Sequence, residues 1–167
     1  MKLRGRARRL QQNDDINTDY IISGRYKFKI QDPKELAQHV MEDLDADFYK
    51  RIQKGDFIVA GKNFGCGSSR EQAPQAIKYA DLSGVVAKSF ARIFYRNCYN
   101  LGLPAIEADT DGIKEGDELE VDLDSGVITD KTRNQKIKIS PLPRTMQVLL
   151  KDGGLVEHFK KHGGFKI

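Results

Sequence analysis

The sequence predicts a mixed α/β fold, and three observations carry that reading. Two short apolar, β-favouring runs, FIVA (57–60) and GVVA (84–87), are each followed by a loop and then by apolar residues at helical spacing. Two βα units in succession argue for parallel strands with helices packed on them. After Asp109 the texture changes to short alternating runs, ELEVDL, GVITD and QKIKI, split by Gly112, Gly116 and Asp124-Ser125-Gly126. That texture predicts an antiparallel region, a meander or small barrel.

The elements follow in order. A first strand is expected over about 2–9, where Leu3, Gly5 and Ala7 alternate with Arg4, Arg6 and Arg8. Together with Arg9 these arginines raise the question of a nucleic-acid arm or transit peptide, but the alternation reads as the solvent side of a strand. The polar turn QQNDDINTD leads to Tyr20, Ile21 and Ile22, and Ser23-Gly24 breaks that run before RYKFKI. Asp32 as N-cap and Pro33 at the first position start a helix carrying Leu36, Ala37, Val40, Met41 and Leu44. Residues 47–52 predict a further short helix. The strand 56–60 then passes through GKNFGCGSSREQAP (61–74) into a helix over 70–81, with Ser68 or Ser69 placed to cap it. The strand 84–87 leads to a helix over about 91–100, closed by Asn100 and Gly102, and 103–106 gives one more strand. From Arg144 the tail reads as helical up to Gly153-Gly154 and resumes as LVEHFKKH.

At 167 residues the chain is long enough to bury a proper core, and it is expected to form one domain over 1–167. With 39% hydrophobic and 31% charged residues it is globular in composition. No apolar run approaches the roughly 20 residues that span a bilayer, and MKLRGRARRL has no apolar segment of a signal peptide. Two cysteines, Cys66 and Cys98, cannot build a disulfide framework and fit a reducing compartment. A cytoplasmic location is expected. The net charge of +4 is mild, its basic residues are interleaved with acids, and no aromatic–basic platform for single strands is present. Neither nucleic acid nor a membrane is expected as partner.

The glycine loop carries the candidate chemistry, because strand-to-helix loops present backbone N–H groups to anions. A Walker loop is excluded, since Gly61-Lys62 precedes the glycines, and a dinucleotide fingerprint would need glycine where Arg70 stands. A serine hydrolase would need GxSxG and a histidine base, whereas His39, His158 and His162 lie in helical segments without motifs and read as surface residues. Asp15-Ile16-Asn17-Thr18-Asp19 has the start of a calcium loop, but Tyr20 and Tyr26 stand where glycine and glutamate are required. The plainer reading is an Asx-rich turn between strands. Two cysteines 32 positions apart are not a zinc pattern and are too few for an iron–sulfur cluster. Cys98, among Ile93, Phe94 and Leu101, reads as core. What remains is Gly-Ser-Ser-Arg: a hydroxyl near a helix N-terminus beside a guanidinium. Backbone donors could stabilise an alkoxide there, and Arg70 could clamp a carboxylate bidentately. The plainer reading is a capping serine and a solvated arginine.

NTDYIISGRY, FIVAGKNFGCGSSREQAPQAI and GVVAKSFARIFYRNCYNLGLP resemble the small subunit of 3-isopropylmalate dehydratase and its archaeal-type homoaconitase relatives. In single-chain aconitases the module is the C-terminal swivelling domain, so the resemblance implies a β/β/α swivelling fold. It covers nearly the whole chain, including LVEHFKKHG. It implies no cofactor on this chain, a [4Fe-4S] cluster on a large subunit, and assembly with that subunit as a heterodimer or heterotetramer. The implied substrate is a small 2-hydroxy dicarboxylate. By motif position Ser68 matches the catalytic base, Arg70 the carboxylate-binding arginine and Asp19 an active-site aspartate, with Ser69 in support. In relatives that act on an extra carboxylate, the loop aligned with RYKFKI supplies an arginine. Here Phe28 holds that position between Lys27 and Lys29, and an apolar ring suits an isopropyl group. The expectation is isopropylmalate isomerisation in leucine biosynthesis, with homoaconitase or 2,3-dimethylmalate dehydratase as close alternatives. A non-catalytic metabolite- or RNA-binding module is the alternative of another class.

Overall fold

The computed structural model describes residues 1–26 and 28–167; Lys27, one of the expected substrate-loop residues, lies outside the described residues. The strands are β1 (Lys2–Arg8), β2 (Phe57–Val59), β3 (Gly84–Ala87), β4 (Ala105–Glu107), β5 (Glu118–Asp122), β6 (Val127–Asp130) and β7 (Gln135–Lys138). They form one seven-stranded sheet in the order β4-β3-β2-β1-β5-β6-β7. β1 joins the two textures seen in the sequence. It pairs in parallel with β2 (Ala7 opposite Phe57) and antiparallel with β5 (Gly5 opposite Leu119). The sheet then curls until its edges meet: Ala108 bridges Ile139, and the Ser140 N–H donates to the Glu107 carbonyl at 2.9 Å. The meander β5-β6-β7 is therefore one wall of a closed sheet whose other wall is parallel.

Alternation along the parallel strands produces two cores, because successive side chains point to opposite faces. Phe57, Val59, Val86 and Ile106 point inward and meet Leu119, Val121 and Ile128 from the antiparallel wall. Ile58, Val85 and Ala105 point outward under the helices. Arg4 and Arg6 face solvent as expected, while Arg8 turns back to Asp56 at 2.7 Å.

The helices are α1 (Thr18–Ile21), α2 (Pro33–Ala37), α3 (Phe48–Arg51), α4 (Gln72–Tyr79), α5 (Arg92–Asn100), α6 (Arg144–Asp152) and α7 (Leu155–His162). Three expectations need correction. The Asx-rich stretch is a helix start rather than a turn between strands: the Asn17 side chain accepts from the Tyr20 N–H at 2.9 Å and caps α1. The helix begun by Asp32 and Pro33 ends at Ala37 instead of Leu44, because Met41 adopts φ 57° and its N–H donates to the Ile21 carbonyl. Val40 and Met41 are buried all the same, so their apolar spacing served packing, not helix. Finally, α4 starts at Gln72 with Glu71 at the cap position, and neither Ser68 nor Ser69 caps it.

Candidate active site

The chain leaves the carboxyl ends of β1, β2 and β3 through three segments that stay side by side. Asn17 bridges Cys66, and Phe64 bridges Phe90, both in parallel. Backbone bonds lace them together: Thr18 N–H to Cys66 carbonyl at 2.9 Å, Gly65 N–H to Ile16 carbonyl at 2.8 Å, and Ala91 N–H to Phe64 carbonyl at 2.9 Å. The region beyond the carboxyl ends of parallel strands is where clefts form in α/β sheets. Gly65 makes the close approach possible, since it has φ 82° and an added Cβ would stand 2.1 Å from the Phe94 ring. Only glycine fits there.

The resulting cleft, about 220 Å³, is lined by residues that include Ser68, Ser69, Arg70, Arg92, Ile93 and Asn97. Ser68 is exposed, and its main chain is anchored from below. Thr18, only 2% exposed, donates its hydroxyl to the Ser68 carbonyl at 2.8 Å. The two hydroxyl oxygens are 3.5 Å apart. The backbone is thus held while Ser68 Oγ stays open to the cleft. The Arg70 guanidinium is 17% exposed and meets the Asp19 carboxylate at 2.5 Å. Asp19 is 60% exposed, so the pair is partly screened by solvent.

Sequence reasoning placed Ser68, Ser69, Arg70 and Asp19 in a site, and the structure brings those four together. Phe28, which is 85% exposed, and Lys29 do not line the cleft. The segment leading to them is fastened at Tyr26, whose ring stacks on His39 at 3.9 Å and whose hydroxyl donates to Glu42 at 2.9 Å. The hydrogen bond from His39, above all, holds the Glu42 carboxyl below the usual range. Several lining residues escaped the sequence reading, two of them polar or charged side chains with chemistry to offer. Thr18 is a buried polar residue whose partner is 50 positions away, and Arg92 lies inside KSFARIF with nothing local to single it out.

As possible holders of a metal or cluster, the side chains are poor. Cys98 is buried in the core, where desolvation pushes its thiol well up, and Cys66 is raised by burial and by Asp15. Asp152, His158 and His162 place one ligand atom each within 4.8 Å of one another. However, His158 Nε2 accepts from the Lys166 N–H at 3.1 Å, so its proton sits on Nδ1 and is donated to Asp152 at 2.7 Å. Lys161 and His162 take further bonds to Asp152. The cluster ties α6, α7 and the tail together, and its lone pairs are spoken for. His158, expected at the surface, is fully buried because this network satisfies both ring nitrogens.

Known proteins resemble this chain in sequence and in fold. The aconitase C-terminal domain family matches residues 2–111. A 3-isopropylmalate dehydratase small subunit 2 of Archaeoglobus fulgidus is 56% identical over 167 residues, covering 100% of both chains. A small subunit 1 of the same enzyme from Thermotoga maritima is 51% identical over 164 residues, covering 98% of each. Among solved structures, a 3-isopropylmalate dehydratase from Methanocaldococcus jannaschii is similar with a TM-score of 0.93 at 50% identity, covering 98% of this chain and 96% of that one. With its curled mixed sheet and glycine loop, the chain belongs to the aconitase C-terminal domain family, among the small subunits of 3-isopropylmalate dehydratase.

Proposed function

We propose that this chain, acting over 1–167 as one swivelling domain, is the lid-forming small subunit of a hydro-lyase. The enzyme interconverts 2-isopropylmalate and 3-isopropylmalate by dehydration and rehydration in leucine biosynthesis. The observation that carries the proposal is Ser68: an uncapped hydroxyl, anchored through its carbonyl and facing a cleft beside Arg70, in a chain collinear with dehydratase small subunits. Ser68 Oγ, as alkoxide, takes the carbon-bound proton α to a carboxylate while hydroxide departs from the neighbouring carbon. When water re-adds, the proton returns to carbon, and the choice of carbon decides which isomer forms. Arg70 exchanges Asp19 for the substrate carboxylate and gains a bidentate pair. Asp19 holds the guanidinium in place until then, and Ser69 supports the loop by hydrogen bonding.

The large subunit, as heterodimer or heterotetramer, bears a [4Fe-4S] cluster that supplies the Lewis-acid chemistry for the departing hydroxyl. Two cysteines, one of them in the core, could not hold that group here. On closure of the complex, Phe28 comes over the isopropyl group, and Lys29 is the described lysine beside it that could meet a carboxylate. Among the described residues no helix is long and apolar enough to cross a membrane, and a cytoplasmic enzyme is the reading we adopt.

The test is anaerobic reconstitution with the large subunit, comparing kcat/KM for isopropylmalate, homocitrate and 2,3-dimethylmalate. Preference for isopropylmalate supports both the reaction and Phe28 as selector. Preference for homocitrate would keep Ser68 and Arg70 but assign the distal carboxylate to a lysine. No turnover with an intact cluster would sink the hydro-lyase reading.

A further inference from the structure

We infer that the large subunit docks on a surface that starts at the Ser68 cleft, crosses Ile93 of α5 and continues over Val156 and Phe159 of α7 to Phe165. The inference rests on the hydro-lyase reading, which puts the base on this chain and the cluster on its partner. Catalysis then requires the partner to cover the mouth of the cleft. A cleft of about 220 Å³ is too small to hold two chains together, because stable interfaces bury on the order of 1,200–2,000 Å². The contact must spread beyond the rim, and the apolar surface next to it shows where.

A second hollow of about 230 Å³, lined by residues that include Glu71, Asn97, Leu155 and Val156, adjoins the cleft. The two share Asn97 and meet along Arg70-Glu71. Apolar side chains lie open along this line: Ile93 is 57% exposed and Val156 64%. Phe159 follows Val156 at i+3, on the same face of α7. Its exposed ring lies 6.3 Å from that of Phe165, which is also exposed. Exposed apolar residues scattered singly need no explanation, but a contiguous run marks a contact surface. The anchoring of α7 fits this use. His158, fully buried, bonds Asp152 of α6 and accepts from the Lys166 N–H next to Phe165. That network gives α7 and the segment after it one fixed position. The apolar face is therefore preformed, and little ordering entropy opposes docking. At the border the surface is basic. Arg92 and Arg96, exposed near Ile93 on α5, have no ion-pair partner among the described residues. The partner face that fits is apolar at its centre and acidic at its edge.

The experiment measures the dissociation constant of this chain for the purified large subunit, anaerobically and with the cluster intact. Val156→Asp and Phe159→Ser are each expected to raise it at least about tenfold, as loss of a central apolar anchor does. Turnover at saturating large subunit should be unchanged, since neither residue lines the Ser68 cleft. Tyr49→Ser removes a ring that is 40% exposed on α3 and should leave the constant unaltered. Arg96→Glu should slow association and lower its salt dependence, as a rim charge does. Val156→Asp should keep the melting temperature of the parent, so its weaker assembly does not come from unfolding. Unaltered constants in both apolar variants, or an equal loss in Tyr49→Ser, would overturn the docking face. So would a self-associated chain that these variants separate while their affinity for the large subunit holds, which would assign the face to a second copy. Assembly that is sensitive to the variants but gives no turnover would overturn the hydro-lyase reading alone. Failure of the parent chain to bind the large subunit would overturn both.

Discussion

Ser68 can act as a base only if its hydroxyl is not spent on capping, and the displacement of the α4 start to Gln72 frees it from that, leaving a long 3.5 Å contact with Thr18 Oγ1. Its partner Thr18 holds the carbonyl instead. Ser68→Ala is therefore expected to lower turnover by about 10²–10⁴-fold, the range for a general base. Melting temperature and assembly with the large subunit should stay unchanged, and retained turnover would remove Ser68 from the role. Thr18→Val keeps the shape but strands the Ser68 carbonyl. It should cost about 1 kcal/mol in urea unfolding and lower kcat more than it raises KM. Arg70→Lys should raise KM, since Asp19 and the substrate both see a fork replaced by a point. Unaltered kinetics would mean that Arg70 faces solvent in the assembled enzyme.

At the scale of elements, the site exists because three segments run in register past the ends of β1, β2 and β3. Gly65→Ala attacks that register twice, through a positive φ and through the Phe94 ring. A loss of at least about 2 kcal/mol of stability follows from strain and overpacking, with turnover falling even where the protein remains folded. The segment proposed to meet the substrate depends on a different support. Tyr26→Phe removes the hydrogen bond to Glu42 but keeps the stack on His39. Discrimination between isopropylmalate and homocitrate should narrow while kcat for isopropylmalate changes little. An undiminished preference would show that Tyr26 does not position the loop.

For the molecule as a whole, the closed sheet separates an interior core from the helical layer, and the tail is fixed by one charged network. Hydrogen bonds from Lys161, His158 and His162 hold Asp152 well below its ordinary value of 3.8. A carboxylate with a depressed folded-state value contributes stability that is complete above 3.8 and is lost as pH falls toward the depressed value. Hydrogen-exchange protection across α6 and α7, taken relative to the intrinsic rate at each pH, should therefore fall as the solution is acidified below that point, ahead of the sheet. Asp152→Asn should flatten this dependence, and an identical acid profile in that variant would exclude Asp152 as its source.

Much of this was legible in the chain. Local signals located all the strands, the Asp32-Pro33 helix start, the glycine at the end of α5 and the loop carrying Ser68 and Arg70, because period, caps and breakers act between near neighbours. The same locality explains the failures. Apolar spacing through Val40 and Met41 read as helix, yet burial can be met by a turn with one left-handed residue. His158 looked like a surface residue because Asp152 and Lys166 become its partners only when α6 and α7 fold back on each other. The sequence by itself determined the two textures, the family and the position of the glycine loop that carries Ser68 and Arg70. Tertiary structure alone decided that β1 joins parallel and antiparallel halves, that the edges close at Ala108 and Ile139, and that Thr18 and Arg92 line one cleft with the serines. Those residues are brought together by strand order and long-range backbone pairing, which no periodicity within a single segment encodes.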